Sequence, residues 1–298
     1  MSRPVARRRR FTARTLAPYL FIAPNLVIFL LFTIWPAINM VNISLYDSRD
    51  GRNFRFVGTS NYSELVSDAE FWQVAGQTVF YVICFVIATT VLATAYAVLL
   101  NDAFPGRGFF RAVLFLPSLL SAVVIGLLWR WLLDRTNGLV NIVLGTLGLP
   151  EPGWLINGPL AMGVIIAVGL WIHLGFYTLI MLSGLQGIDP TVYEAAHVDG
   201  ASRWQQFRHL TWPLLRPTTL VVVILGTMSA FQSFDYIYSL TGGGPVGATM
   251  LMVQFVYERA FVSPIRYGIA AAGSVVLFIC VFAFTMLNFL NARRRGIA

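Results

Sequence analysis

Six apolar runs, at 16–41, 74–100, 109–133, 160–185, 218–240 and 269–290, decide which solvent this chain can fold in. Each is near the ~20 residues that an α-helix needs to cross a hydrocarbon core of about 30 Å. Inside such a core every backbone N–H and C=O must be satisfied internally, and long runs without alternation do this as helices. Hydrophobic residues fill 57% of the 298 positions and charged ones only 11%, which excludes an ordinary water-soluble domain. The expected fold class is an all-α integral membrane protein with six transmembrane helices. Its expected organisation is a basic N-terminus (1–15), a single membrane domain (16–292) and a basic tail (293–298).

The arginines set the orientation. All 21 basic residues are arginine, and an even number of spans places both termini on one side. Arg3, Arg7, Arg8, Arg9, Arg10, Arg14, Arg293, Arg294 and Arg295 flank the termini, and Arg107, Arg111, Arg203, Arg208 and Arg216 fall in loops of the same side. That is fourteen against seven on the other face, so both termini are expected in the cytoplasm, where cationic flanks are retained. The net charge of +8 is accounted for by this asymmetry, and nothing calls for a nucleic-acid partner. Arg8, Arg9 and Phe11 loosely resemble a twin-arginine export signal, but five further spans follow a long first one, which favours a positive-inside anchor. Cys84 and Cys280 lie within spans as small apolar residues, without a disulfide or metal framework.

Three loops are expected to face outward. The longest, 42–73, carries Asp47, Asp50, Glu64, Asp68 and Glu70 against Arg49, Arg52 and Arg55. Those at 134–159 and 241–267 are rich in Gly and Pro, including Gly242-Gly243-Gly244-Pro245, and suit either a docking rim or plain turns.

The inward loop 186–217 is more specific. Asp189-Pro190 supplies an N-cap acceptor and a proline for the first helical position. Asp199-Gly200 stops that helix, because glycine tolerates the left-handed conformation of a helix end. Ser202 and Gln205 then form a capping box for a second short helix, with Trp204, Phe207 and Leu210 spaced by three along one side. Pro213 and Pro217 hand the chain to the fifth span. Amphipathicity alone fits either a partner's cleft or the membrane surface.

Glu194-Ala195-Ala196, followed by Asp199-Gly200-Ala201, Phe207, Pro213 and Pro217, resembles the EAA loop of permease subunits of bacterial ABC importers. Phe56-Val57-Gly58, Asn61-Tyr62, Phe71-Trp72, Leu116-Pro117, Trp154-Leu155, Gly184-Leu185-Gln186, Phe234-Asp235 and Thr241 to Pro245 extend the resemblance to carbohydrate permeases of the maltose-transporter type. The N-terminal span with Pro24 and Pro36 is similar to that of the MalF/UgpA/LacF-like subunits. The resemblance implies a multi-pass subunit of the bacterial plasma (inner) membrane, working by alternating access. It implies a second homologous permease forming a heterodimer, two ATPase subunits that bind ATP and Mg, and an extracytoplasmic solute-binding protein. It also implies that Glu194 contacts the ATPase, that Ala195 and Ala196 permit close approach, and that Gly200 makes the turn. His197 occupies a variable position and is given no role.

The chain contains no lysine, so it carries neither an ordinary P-loop nor a Schiff-base lysine, and energy from ATP has to arrive from another polypeptide. An intramembrane enzyme would place ionisable groups in the spans. Here only Arg130, His173 and Asp235 qualify, without a catalytic or metal-ligand grouping, so an enzyme or a stand-alone channel is the distant alternative. A neutral polyol needs small polar groups and aromatic faces along its path. Gly226, Ser229, Ala230 and Ser233 share one face of the fifth span, and His173, Phe176 and Tyr177 one face of the fourth. The resemblance places the sugar path along these stretches, with Gln232 beside them; close helix packing is the other reading of the same residues. Within the family, glycerol-3-phosphate or a glycerophosphodiester is the alternative solute, with Arg130 and Arg135 as its candidate partners.

Overall fold

The computed structural model describes residues 13–294, so Arg3, Arg7, Arg8, Arg9, Arg10, Phe11 and Arg295 lie outside the described residues. Helix α1 (Ala13–Phe29) passes through one widened turn at Leu30–Ile34 into α2 (Trp35–Ile43). The widening precedes Pro36, which has no N–H to give to the helical ladder. A short antiparallel hairpin, β1 (Tyr46–Asp47) with β2 (Arg55–Phe56), and α3 (Ser60–Ser67) follow. The long α4 (Ala69–Asn101) starts at Asp68, whose side chain accepts from the Glu70 N–H at 2.9 Å.

Beyond α4 come α5 (Arg107–Phe115), α6 (Ala122–Leu132), α7 (Leu139–Thr146) and α8 (Gly158–Gln186). The polar module contains α9 (Pro190–Val198), α10 (Arg203–Gln206) and α11 (Trp212–Leu214), and the chain closes with α12 (Arg216–Phe231), α13 (Asp235–Thr241), α14 (Met252–Phe261) and α15 (Tyr267–Arg294). Among the described residues, four helical stretches are long and apolar enough to cross a membrane: Tyr19–Ile43, α4, α8 and α15; the number reaches six if each of two bent pairs is one span.

Those bent pairs differ from the expected continuous runs. At 109–133 the helix breaks and turns through 98°, because Pro117 lacks an N–H and Leu120 is extended with ψ 153°. At 218–240, α12 ends at Phe231 and α13 begins at Asp235. There the hydroxyl of Ser233 donates to the Ser229 carbonyl at 3.0 Å, and local side-chain bonding of this kind competes with the helical ladder. A second bend, of 65°, separates Arg203–Leu214 from α12, so Pro217 opens the fifth apolar helix rather than closing the module before it. The two broken segments meet where α6 crosses α13 at Gly126. A Cβ there would collide with the Ser239 hydroxyl and lie 2.6 Å from the Tyr236 carbonyl oxygen.

The main core forms where α4 lies along α8. Tyr81, Phe85, Ala93 and Ala97 of α4 meet Ile165, Val168, Ile172 and Met181 of α8, with Val222 and Ala230 of α12 closing the layer. Ala93 and Ala97 are one turn apart and completely buried, the kind of small surface that lets membrane helices approach closely. A second cluster of Leu65, Phe71, Val74, Met252, Phe255, Ile269 and Ala272 ties α3, α4, α14 and α15 together. The 241–267 segment is therefore more than a Gly/Pro turn. Its α14 folds against α15, and the Met252 N–H donates to the Thr78 hydroxyl at 3.0 Å.

Candidate functional site

The polar module takes the local shape its sequence dictates. Asp189 caps α9 by accepting from the Thr191 N–H at 2.9 Å, a bond that also lowers its carboxyl pKa. The helix closes with two bonds, Gly200 N–H to the His197 carbonyl at 3.0 Å and Ala201 N–H to the Ala196 carbonyl at 2.9 Å. This closure puts Gly200 at φ +74°. Both halves of the Ser202–Gln205 capping box are present. Beyond it the helix widens at Phe207–Thr211, so Leu210 leaves a strict register, while the Trp204 and Phe207 rings stack 5.7 Å apart. The Tyr193 hydroxyl lies 3.0 Å from that of Thr211 and ties the second helix to the first.

What the module shows to its surroundings is a mixed surface. Glu194, Ala195, His197, Asp199 and Gly200 are exposed, Val198 and Trp204 are 86% and 67% exposed, and Ala196, Ala201, Phe207 and Pro213 are half-buried. Between the two helices lies a hollow of about 330 Å³ lined by Ala196, Asp199, Gly200, Ala201, Gln205 and His209 among others. Glu194 is outside the lining of this hollow, and so are Phe207 and Pro213.

The residues expected along a path divide into two groups. His173, Tyr177, Ser229 and Ser233 come together between α8 and the end of α12. His173 Nε2 is 3.4 Å from the Ser229 hydroxyl, its Nδ1 is 2.9 Å from the Gly169 carbonyl, and its ring stacks on Tyr177 at 6.3 Å. Tyr177, Gly226 and Ser233 are buried, whereas Ser229 and His173 are half-buried and Gln232 is exposed. Phe176 is 44% exposed and instead lines a groove of about 650 Å³ with Phe115, Ser183 and Pro217.

The structure adds three residues to this cluster. The Tyr81 hydroxyl donates to Ser233 at 3.3 Å and lies 2.5 Å from the hydroxyl of Tyr236, which donates to the Ile165 carbonyl at 3.1 Å. Phe85 packs edge-on to His173 at 5.6 Å. A tyrosine in an apolar run announces a hydroxyl that needs a partner, yet the partners of Tyr81 are 152 and 155 positions away and no local pattern names them. Gly169 makes the room, since a Cβ there would strike the Tyr236 hydroxyl and lie 3.0 Å from that of Tyr81. The cluster is made of hydroxyls, an imidazole and aromatic rings, with no carboxylate or guanidinium. Among the described residues no group of His, Cys, Asp and Glu could hold a metal ion.

Elsewhere, ion pairs tie α3 and the start of α4 to α14 and to the residue just before α15. Arg266 binds both carboxylate oxygens of Glu64, and Arg259 reaches Asp68 at 3.2 Å and Glu70 at 2.7 Å.

Residues 101–296 match the family described as the binding-protein-dependent transport system inner membrane component. The trehalose/maltose transport system permease protein MalF of Thermococcus litoralis is 36% identical over 278 residues, covering 93% of this chain and 94% of that one. The sn-glycerol-3-phosphate transport system permease protein UgpA of Agrobacterium fabrum is 31% identical over 281 residues, covering 93% and 95%. Among solved structures, a chain of a bacterial alginate ABC transporter, in complex with an alginate pentasaccharide-bound periplasmic protein, superposes with a TM-score of 0.82 at 22% identity, covering 94% of this chain and 95% of that one.

Proposed function

The chain belongs to the family of binding-protein-dependent transport system inner membrane components, permeases rather than enzymes, and from that premise we propose that the solute it conducts is a neutral carbohydrate. The observation that carries the proposal is the cluster of Ser229, His173 and Tyr177 beside exposed Gln232, which offers hydroxyls, an imidazole and aromatic faces without a fixed charge. The permease names and the alginate complex among its relatives support a sugar of some kind. The glycerol-3-phosphate alternative is favoured by Arg130 and Arg135, which line a hollow of about 260 Å³. Asp134 lines it too, with a carboxyl pKa lowered by the Asn137 N–H and by Thr136, so an anion there meets a carboxylate as well.

The proposed topology is six spans, Tyr19–Ile43, α4, the bent pair of Arg107–Leu119 with Ala122–Leu132, α8, α12 with α13, and α15, with both termini and the 186–217 module in the cytoplasm. In this arrangement the module is the coupling element, received by an ATPase subunit through Val198, Trp204 and the surface around Glu194. A second permease, distinct from this chain, completes the pathway, and a solute-binding protein docks on the outer loops. ATP-driven closure of the ATPase pair then moves the coupling helices and exposes the path alternately to each side.

Uptake of labelled sugar into vesicles holding the assembled complex tests the path. Ser233 is buried against Tyr81, where a leucine would disturb the packing, so the informative double substitution is Ser229→Leu with Gln232→Leu. The expected result is lost uptake with retained ATPase subunits. Unchanged uptake would remove these residues from the path.

A further inference from the structure

Next to the module, a groove of about 670 Å³ opens between the start of α12 and the last turns of α15. Trp212, Arg216, Asn288 and Asn291 line it toward the helix ends, and Leu220 and Val223 line it one and two turns further along α12. Asn288 and Asn291 are three apart and so share a face of α15. None of the lining residues is acidic. Arg293 and Arg294 stand exposed in the last turn of the same helix, and the adjacent Leu287, Phe289 and Leu290 are 58%, 47% and 43% exposed.

Along α12 the groove offers the Arg216 guanidinium and then the aliphatic Leu220 and Val223; back along α15 from the exposed Arg294 and Arg293 come the amides of Asn291 and Asn288, and the Trp212 indole lies just before Arg216. A glycerophospholipid carries the matching succession of phosphate, ester carbonyls and acyl chain. Basic hollows between transmembrane helices on the cytoplasmic side are where anionic headgroups bind. A free phosphate would leave the aliphatic part unused. A zwitterionic lipid would bring a cation toward Arg216, Arg293 and Arg294.

We propose that this groove binds one anionic glycerophospholipid of the cytoplasmic leaflet. The leaflet assignment rests on the topology proposed above. The phosphate pairs with Arg216, the ester carbonyls accept from Asn288 and Asn291, and one chain runs over Leu220 and Val223. The lipid thereby braces the first turn of α12 against the end of α15, directly beside the module.

The test uses the full complex purified in detergent, with retained lipid read by native mass spectrometry and stability by melting temperature. Dioleoylphosphatidylglycerol, dioleoylphosphatidylcholine and inorganic phosphate are added separately. Phosphatidylglycerol is expected to stay bound and raise the melting temperature, and the other two are not. Arg216→Gln weakens retention about fivefold, from roughly one favourable charge contact, while Arg216→Lys keeps most of it. Asn288→Leu with Asn291→Leu also weakens it with every arginine in place, and this pair carries the test if Arg216→Gln does not assemble.

Equal retention of both lipids overturns the proposal. So does a shift reproduced by phosphate alone, or retention that ignores the asparagine pair and falls only with Arg293→Gln and Arg294→Gln. A groove found filled by a partner subunit, without lipid, also overturns it. Labelling of Val198→Cys from outside intact cells would instead sink the topology while leaving the binding measurement intact.

Discussion

Two glycines on α8 give a matched test of how the first bent pair is held. At Gly175 a Cβ would strike the Leu114 carbonyl oxygen and lie 2.7 Å from the Phe115 Cα, so backbone meets backbone where α5 ends. At Gly163, on the same helix, a Cβ would meet nothing within 4 Å. Alanine in either place removes the helix-propensity penalty of glycine, about 1 kcal/mol, so that gain cancels in the comparison. What remains is the clash. Overpacking of a fitted contact costs typically about 1–3 kcal/mol, and here the obstacle is main chain that cannot rotate away, which favours the upper part of that range. Gly163→Ala is expected to leave the melting temperature of the purified complex unchanged or slightly raised. Gly175→Ala is expected to lower it by several degrees and to loosen the bend at Pro117. Fluorescence-detected size exclusion after heating reads both variants in one series. Identical curves for the two alanine variants would refute the claim that α5 is seated on α8 through this glycine.

Three other outcomes follow from local geometry. Gly200 has open space around it but φ +74°, so Gly200→Ala adds only the left-handed strain of about 1–2 kcal/mol; uptake should fall while membrane insertion is retained, Gly200→Asn should be milder, and wild-type uptake by the alanine variant would count against a shaped coupling turn. Tyr81→Phe and Tyr236→Phe each remove one of two hydroxyls 2.5 Å apart, so their destabilisations, about 1–3 kcal/mol apiece, should be less than additive in the double variant; strict additivity in thermal melts would show that the two do not interact. The hydrogen bond from Arg266 lowers the Glu64 carboxyl pKa. A lowered pKa adds stability above the ordinary glutamate value, about 4.3, and loses it as pH falls through the lowered one. The pair is half-exposed and worth about 0–1 kcal/mol, so the small gap in melting temperature between wild type and Arg266→Gln should hold from neutral pH down to about 5 and close below about 4. A gap that persists at about pH 3 would mean that Arg266 acts through packing instead.

The sequence exposes what is local and conceals what is distant. The cap at Asp189, the stop at Gly200 and the box at Ser202 each depend on residues within six positions of one another, and all three are present as written. The apolar runs are equally legible, because bilayer thickness imposes a length that can be counted. Continuity within a run is not. Hydropathy does not change where a helix bends, so the breaks after Pro117 and Phe231 lie inside stretches that look uninterrupted. For the same reason α14 disappears among glycines and prolines, although its Met252 and Phe255 are needed to complete the second core cluster. In the polar cluster, the pattern singled out Ser229, Ser233, His173 and Tyr177 but missed Tyr81 and Tyr236, which sit in separate helices and meet only after folding.

In the proposed mechanism, the break after Phe231 lets the coupling module act on the solute path at a distance. Leu215, completely buried, anchors the start of α12 immediately after the polar module, and Ser229 lies in the last turn of the same helix. Sixteen residues at 1.5 Å each make a rod of about 24 Å. No side-chain relay is required over that distance, because a packed helix moves as one body. A continuous span through 240 would also have to drag α13, which is fixed against α6 at Gly126. In the proposed mechanism the interruption at Gln232–Phe234 separates those two demands, so that α12 follows the module while α13 stays seated, with the relative motion concentrated at Ser229, Gln232 and Ser233, where the solute is proposed to pass.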